Sequence, residues 1–139
     1  MKALSMMQPY AWLVAHGYLS VDDRTWPTAY RGPLAVHASK GFHLPYYNFL
    51  RAHTEWPLPA PADFEHGGVV AIVTLKDCMA PEAPLGTPMR QLDLRRAHFG
   101  APGHYGFVLG EPRRLGFVPF RGNRGLFDIP DAVLQGLPA

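Results

Sequence analysis

The hydrophobic positions of this chain fall into short runs, and the strongest run covers residues 68–75. It is rich in β-branched residues, too short for an independent helix and preceded by a Gly-Gly break, so it predicts a buried central strand. A second buried strand is predicted at residues 33–38, and rough alternation over residues 20–26, ended by Pro27, predicts a third. Closely punctuated apolar segments predict further short strands at residues 105–109, 114–120 and 125–129.

The predicted helices are short as well. Pro9 suits the start of a helix because its missing N–H is not needed there, and residues 9–16 run into Gly17, a natural helix end. Apolar positions at helical spacing predict a second helix at residues 43–55, and an amphipathic pattern predicts a third at residues 89–98. Proline and glycine predict loops at residues 56–62 and 100–103.

The composition favours one small domain with many turns, spanning residues 1–139. Of its 139 residues 47% are hydrophobic, which is enough for one core. The chain also holds 14 glycines and 15 prolines, so much of it lies in connections. Short strands interleaved with short helices therefore predict a small, strongly curved α+β barrel.

Neither a membrane span nor a secretion signal is indicated by the sequence. No run reaches the roughly 18 apolar residues that a span requires, and Pro9 interrupts the N-terminus before an apolar signal core can form. The single cysteine, Cys78, cannot form an internal disulfide and suits a reducing compartment. We therefore expect a cytoplasmic protein with no membrane partner.

Arginine dominates the positive charge of the chain. The net charge is only +2, but the 13 basic residues comprise ten Arg and three Lys, and Arg binds phosphates and base edges with two parallel hydrogen bonds. In three places an arginine precedes a glycine, where backbone can approach a ligand closely: Arg31, Arg121 and Arg124. The same pairs also fit turns whose arginines only keep strand ends solvated.

The segment at residues 22–26 combines two acids, an arginine, a hydroxyl and a tryptophan. Such a set can hydrogen-bond the edges of a nucleic-acid base, while Trp26 stacks on its face. The alternative is a surface strand whose acid and arginine neutralise each other. Both interpretations stay open at this point.

Metal and cofactor chemistry find no support in the residue spacing. The seven histidines form no convincing pair at i, i+4 and have no carboxylate set at ligand spacing. Cys78 follows a predicted strand and has no activating neighbour, which favours a packed cysteine. Residues 100–103 lack the pattern of a phosphate-binding loop. We therefore predict no metal and no cofactor.

Four motifs, taken in order, resemble the ASCH domain family of the PUA-like superfamily, in its bacterial single-domain branch. They are LSMMQPYAW at residues 4–12, DDRTWP at 22–27, YRGPLAVHASK at 30–40 and RGNRGLF at 121–127. The resemblance implies a PUA-like β-barrel of about five to six short strands with two to four short helices. Residues 41–65 and 80–103 carry no motif of this family.

Relatives with that fold bind RNA or modified bases, and the resemblance implies a cleft between the N-terminal helix and the barrel. Carried over by position, the cleft residues are Ser5, Gln8, Pro9, Tyr10, Asp22, Asp23, Arg24, Trp26, Arg31, His37, Lys40 and Arg121. We add Arg124 to these candidate binding residues because it, too, precedes a glycine.

Two departures from the family pattern bear on activity. A smaller branch resembles an amidohydrolase of acetylated cytidine, whose catalytic Lys and Thr follow a glycine at steps where this chain has Leu19 and Asp22 after Gly17. An apolar Leu cannot activate a nucleophile or stabilise an oxyanion. The usual E-N-R triplet is here Asp22-Asp23-Arg24, so an amide that donates and accepts becomes a carboxylate that only accepts.

Two functions are therefore favoured by the sequence, and a small-molecule or protein-interaction module is a third that stays open. In the first, the protein binds RNA or a modified nucleoside, with Trp26 or Tyr10 stacking on a base while basic residues contact phosphates and base edges. The basic residues in question are Arg24, Arg31, Lys40 and Arg121.

In the second function, the protein is a hydrolase, either a ribonuclease or a nucleoside amidohydrolase. In a ribonuclease Asp22 would accept a proton from the attacking hydroxyl, and Lys40 or Arg24 would stabilise the developing negative charge. His37 is a further acid–base candidate, although its predicted buried strand favours a core histidine satisfied by hydrogen bonds.

Overall fold

The computed structural model describes residues 1–80 and 104–134. In these residues six strands form one mixed sheet in the order β2-β5-β4-β3-β1-β6, with β2 and β6 at its two edges. The strands are β1 (Lys2–Gln8), β2 (Val21–Arg24), β3 (Gly32–Phe42), β4 (Gly68–Met79), β5 (Tyr105–Pro119) and β6 (Leu126–Asp128).

Three short α-helices and one 3₁₀ turn accompany this sheet in the described residues. They are α1 (Tyr10–Ala15), α2 (Leu44–His53), α3 (Asp131–Leu134) and the 3₁₀ turn Pro61–Asp63. The predicted α+β class, strand number and short helices are thus confirmed. The helix predicted at residues 89–98 and the loop predicted at residues 100–103 lie outside the described residues.

Strand β1 is the element that the sequence analysis missed. It pairs in parallel with β3 and antiparallel with β6, so it is central to the sheet. Its two faces enter two different apolar clusters, Leu4 on one side and Ala3 on the other. Because interleaved polar residues such as Ser5 break the apolar run, the strand has no simple period-two or continuous apolar signature.

Strand β5 replaces the two separate strands predicted at residues 105–109 and 114–120. It continues through the intervening Gly110-Glu111-Pro112 because its register against β4 shifts at several points. Glu111 takes a positive φ of 54° within this irregular stretch. Bulges of this kind let one strand bend without ending, which a pattern of turn-forming residues cannot distinguish from a true turn.

Helix α1 is only six residues long, and its stability comes from burial. Such a helix is marginal in isolation, but all of its residues except Trp12 are buried. It packs against the larger apolar cluster, whose fully buried members include Leu4, Leu34 and Phe107. Gly17, at φ 79°, ends the helical segment in the left-handed region that favours glycine. Among the described residues, no helix combines the length and apolar character needed to cross a membrane.

Candidate functional site

The centre of the candidate site is a serine and a histidine on adjacent parallel strands. Ser5 of β1 and His37 of β3 are direct register partners, so their side chains lie on the same face of the sheet. The Ser5 Oγ lies 2.9 Å from the His37 Nδ1. The other ring nitrogen of His37, Nε2, lies 2.6 Å from the carbonyl oxygen of Phe120.

The contact with Phe120 determines the direction of both hydrogen bonds when His37 is neutral. A carbonyl oxygen only accepts, so the His37 Nε2 carries the proton and donates it. The Nδ1 is then the acceptor, and the Ser5 hydroxyl donates to it. His37 is 2% exposed, and both of its nitrogens are satisfied by these two partners.

Three adjoining cavities surround Ser5, and together we call them the cleft. The first has a volume of about 230 Å³, the second about 480 Å³ and the third about 700 Å³. Ser5 borders all three, Arg24 borders the first two, and Asn123 and Arg124 border the last two. Because neighbouring cavities share walls, a single extended ligand can contact all of them.

The first cavity is the acidic end of the cleft. It is lined by two adjacent carboxylates of β2, the ring of Tyr10 and the imidazole of His43. Tyr10 stacks on Tyr46, with ring centroids 5.0 Å apart and planes inclined by 12°. Burial, Tyr46 and Asp22 together raise the pKa of the Tyr10 phenol to about 12, so it remains a neutral hydroxyl at physiological pH.

Arg24 joins the edge strand β2 to the distant strand β1. Its Nε donates to the Asp22 carboxylate and its Nη2 donates to the backbone carbonyl of Ser5, at 2.6 Å. These contacts engage two of the five N–H donors of a guanidinium. Because β1 and β2 are not neighbours in the sheet, the Arg24 side chain connects two strands that do not pair with each other, and it does so at the wall of the cleft.

His43 borders the acidic end and was not identified from the sequence. It precedes α2 as its N-cap, and its Nδ1 accepts a hydrogen bond from the backbone N–H of Tyr46, at 3.0 Å. The neutral imidazole therefore carries its proton on Nε2. Pro45 in the first turn marks this helix start, and it is the sequence signal that could have pointed to His43.

The third cavity is the basic end of the cleft. Its cationic walls are Lys40, Arg121 and Arg124, all exposed. Gly122 lies between them against the central pair, where an added Cβ would be 2.7 Å from the His37 Cε1 and 2.8 Å from the Ser5 Oγ. Only a glycine fits there, so the loop that carries both arginines is seated directly on Ser5 and His37.

Trp26 belongs both to the wall of the cleft and to the packing around the core. It borders the second cavity together with Arg24 and Arg124. It also packs edge-to-face against the core residue Phe107, with ring centroids 5.1 Å apart. The half-buried indole is therefore held by the core while it forms part of the cleft wall.

Three of the residues predicted from the sequence do not line the cleft: Gln8, the adjacent buried Pro9, and Arg31. The other predicted site residues do. The Gln8 amide is 1% exposed and bonds the Trp12 N–H and the Glu65 carbonyl, both at 2.9 Å. Arg31 is exposed, donates to two backbone carbonyls of its own turn and lies 3.6 Å from Asp77. Both residues have structural partners where they stand.

A fourth cavity, of about 380 Å³, lies beside α1 and is separate from the cleft. It is lined by Gln8, Trp12, His16 and Arg114, among others. The His16 ring stacks on Trp12 at 4.1 Å, and burial, followed by the charge of Arg114, lowers its pKa. This cavity mixes acidic and basic walls, and among residues 1–80 and 104–134 it shares no lining residue with the cleft.

The two candidate catalytic residues of the hydrolase hypothesis border different cavities. Asp22 is 7% exposed and bound to Arg24 at the acidic end, whereas Lys40 is exposed at the basic end. Ser5 and His37, in contrast, are hydrogen-bonded to each other. No group of three potential metal ligands forms within residues 1–80 and 104–134.

Comparison with solved structures identifies the fold. The chain is similar to the crystal structure of a Tyr-to-Phe variant of ZmASCH from Zymomonas mobilis, with a TM-score of 0.59 and 12% sequence identity. The match covers 96% of this chain and 93% of the other. Searches with protein-family models and among curated proteins give no match. At this identity the likeness shows the fold alone, so the chain has the fold of an ASCH-domain protein.

Proposed function

We propose that the protein binds single-stranded RNA or a modified nucleotide in the cleft, with the base at the acidic end and the phosphates at the basic end. The observation that carries this proposal is the shared wall at Ser5, which joins a small aromatic and acidic cavity to a larger cationic one. A nucleotide has the same division into a planar, polar ring and an anionic phosphate.

The acidic end suits a base that presents an amino group. Carboxylates only accept hydrogen bonds, and Asp23, which is less buried than Asp22, borders this cavity. The His43 Nε2–H supplies a donor in the same cavity. The amino group of cytosine or adenine offers N–H donors to the carboxylates, whereas uracil has a carbonyl oxygen at the corresponding position, and a carboxylate cannot donate to it. The carboxylates of this end therefore favour cytosine or adenine over uracil.

The basic end suits the phosphates of an RNA, whatever its base sequence. Lys40, Arg121 and Arg124 are exposed, so they can follow a flexible backbone. Trp26 stands in the cavity between the two ends, where an indole can stack on a second base. With a net charge of only +2, we expect about two to four phosphate contacts, so the binding footprint is small.

The test is the salt dependence of binding to a short labelled RNA, measured by fluorescence anisotropy. With two to four contacts, the slope of log affinity against log salt should lie between about −1.4 and −2.8. A slope near zero with intact binding would exclude the phosphate part of the proposal and leave recognition of a lone base. Absence of binding to RNA and to mononucleotides would exclude the proposal as a whole.

A further inference from the structure

We propose that Ser5 is a nucleophile activated by His37, and that the cleft hydrolyses a carboxylic ester carried by a phosphate-bearing molecule. This activity goes beyond binding and uses neither Asp22 nor Lys40 as an acid or base. It is carried by the geometry of Ser5, His37 and Phe120 and by the charge of the cavity around them.

The first argument is the order of the hydrogen bonds. The Ser5 hydroxyl donates to His37 Nδ1, and His37 Nε2–H donates to the Phe120 carbonyl. A nucleophile bonded to a base that is itself oriented by a third group is the arrangement that activates a serine. The Phe120 carbonyl keeps the proton on Nε2, so Nδ1 is ready to accept the hydroxyl proton.

The second argument is access to the reacting oxygen. Ser5 is only partly buried and borders all three cavities of the cleft, although its base is 2% exposed. The loop packs against the pair at Gly122, where a Cβ would be 2.8 Å from the Ser5 Oγ. A substrate therefore reaches Ser5 from the cavities that it borders and not from the side of Gly122.

The third argument is the charge of the cavity that Ser5 borders. Arg121, Arg124 and Lys40 line the largest of the three cavities together with Ser5. Cations in this cavity attract a substrate that carries phosphate to the side of the nucleophile.

The reaction proceeds in two balanced steps. In the first, the Ser5 Oγ forms a bond to the carbonyl carbon, its proton passes to the His37 Nδ1, and the ester C–O bond breaks as the leaving alcohol takes that proton. In the second, water gives a proton to Nδ1 and its oxygen attacks the acyl carbon. The bond to Ser5 then breaks, and the serine oxygen recovers the proton as the carboxylic acid leaves.

Covalent labelling tests the nucleophile directly. Phenylmethylsulfonyl fluoride should form an Oγ–S bond to Ser5 with loss of fluoride, and peptide mass spectrometry would locate the adduct. We expect labelling at Ser5, its loss in Ser5→Ala, and labelling at least tenfold slower in His37→Gln with the fold verified by circular dichroism. Labelling unchanged in Ser5→Ala, located at Ser39 instead, or absent from the natural protein would overturn the proposal.

Ester hydrolysis tests the substrate class. The probes are 2′(3′)-O-acetyl-AMP and 2′(3′)-O-acetyladenosine, which differ only in the phosphate. We expect faster turnover of the phosphorylated ester, a loss of about a hundredfold in Ser5→Ala, and no change in Ser20→Ala, a serine outside the cleft. Equal rates for the two esters would overturn the requirement for phosphate, and hydrolysis unaffected by Ser5→Ala would overturn the catalytic role.

These results are separable from a failure of the proposed binding function. Binding of RNA is measured by anisotropy in the same variants, and it depends on the two ends of the cleft. RNA binding that persists without labelling or ester hydrolysis would refute only the nucleophile. Labelling and hydrolysis without RNA binding would refute only the binding proposal.

Discussion

The two ends of the cleft differ in how firmly the fold holds their polar groups. At the acidic end, Tyr10 is 8% exposed and stacks on Tyr46, and Asp22 is 7% exposed and accepts a hydrogen bond from Arg24. At the basic end, Arg121 and Arg124 are exposed on a loop. Fixed, half-desolvated groups suit recognition of one base edge, whereas exposed cations suit a backbone of variable conformation.

The two ends of the cleft are also built from different elements of the fold. The acidic end is assembled from β1, α1, β2 and the residue before α2, and Met6 and Tyr10 of these elements belong to the larger apolar cluster. At the basic end Lys40 comes from β3, whereas Arg121 and Arg124 come from one short loop before β6 that Gly122 seats against the Ser5–His37 pair. Substitutions at the acidic end should therefore affect folding and binding together, while those at the basic end should affect binding alone.

The largest effect is expected at the basic end. Replacing both Arg121 and Arg124 by Ala should weaken RNA binding about a hundredfold at low salt, because two charge-assisted hydrogen bonds are lost. The slope of log affinity against log salt should become shallower by about 1.4. Anisotropy titrations at several salt concentrations measure both quantities.

The matched control removes the same charge elsewhere. Arg113 and Arg114 form an exposed pair on β5 outside the cleft, and their double replacement by Ala should leave RNA affinity within about twofold of the natural protein. If the two double variants lost affinity equally, net charge rather than the cleft would explain binding.

The next effect concerns the tryptophan between the two ends. Trp26→Ala should weaken RNA binding about tenfold, since stacking of one base on an aromatic ring contributes about 1–3 kcal/mol. Because the indole also packs on Phe107, affinity must be measured well below the thermal transition. Trp56→Ala, a half-buried tryptophan packed on Tyr18, serves as the control and should retain binding.

One result would show that Trp26 does not contribute to binding. If Trp26→Ala lowered the melting temperature but left the RNA affinity of the folded protein unchanged, Trp26 would belong to the core alone. The wall between the two ends would then contribute shape rather than stacking.

A smaller effect should sharpen the role of the acidic end. The natural protein should bind CMP more tightly than UMP, and Asp23→Asn should reduce that preference about fivefold, the value of one neutral hydrogen bond. An amide can donate as well as accept, so it no longer discriminates against an acceptor edge. Asp77→Asn, outside the cleft, should keep the preference, and isothermal titration calorimetry with both nucleotides provides the measurement.

The smallest effect lies outside the cleft, at His16. Burial and Arg114 lower its folded pKa below the ordinary value, so the unfolded chain binds the proton more readily. Stability should therefore be fully present above about pH 6.5 and decline as the pH falls through that value towards the folded pKa. Urea unfolding between pH 7.5 and 5 should show a weaker decline in His16→Gln, and an identical decline in both proteins would exclude His16 as its source.

The sequence predicted most of the elements because their local signals agree with their surroundings. The strand at residues 68–75 is apolar on both faces, and it occupies the middle of the sheet as β4. The helix at residues 9–16 is observed as Tyr10–Ala15, with Gly17 at its end. Strand β1 was missed because burial on both faces, with Ser5 and Gln8 placed between apolar residues, has no regular period.

The candidate site was predicted as a set of residues but not as an arrangement. The family resemblance predicted Ser5 and His37 as cleft residues, yet only the parallel register of β1 and β3 shows that the two are hydrogen-bonded to each other. Conversely, Gln8 belongs to a motif, but its amide accepts from the Trp12 N–H and donates to the Glu65 carbonyl, so it connects α1 to the segment around Glu65. A linear sequence does not show which polar side chain satisfies the backbone and which borders a cavity.

The most direct test of the central claim is a set of NMR titrations of the labelled protein with CMP, cytidine and inorganic phosphate. The account predicts that cytidine shifts the backbone signals around Asp22–Arg24 and His43, phosphate shifts those of residues 121–125, and CMP shifts both sets. Shifts confined to the separate cavity around Trp12 and Arg114, or the same set of shifts from all three ligands, would contradict a cleft with two distinct ends.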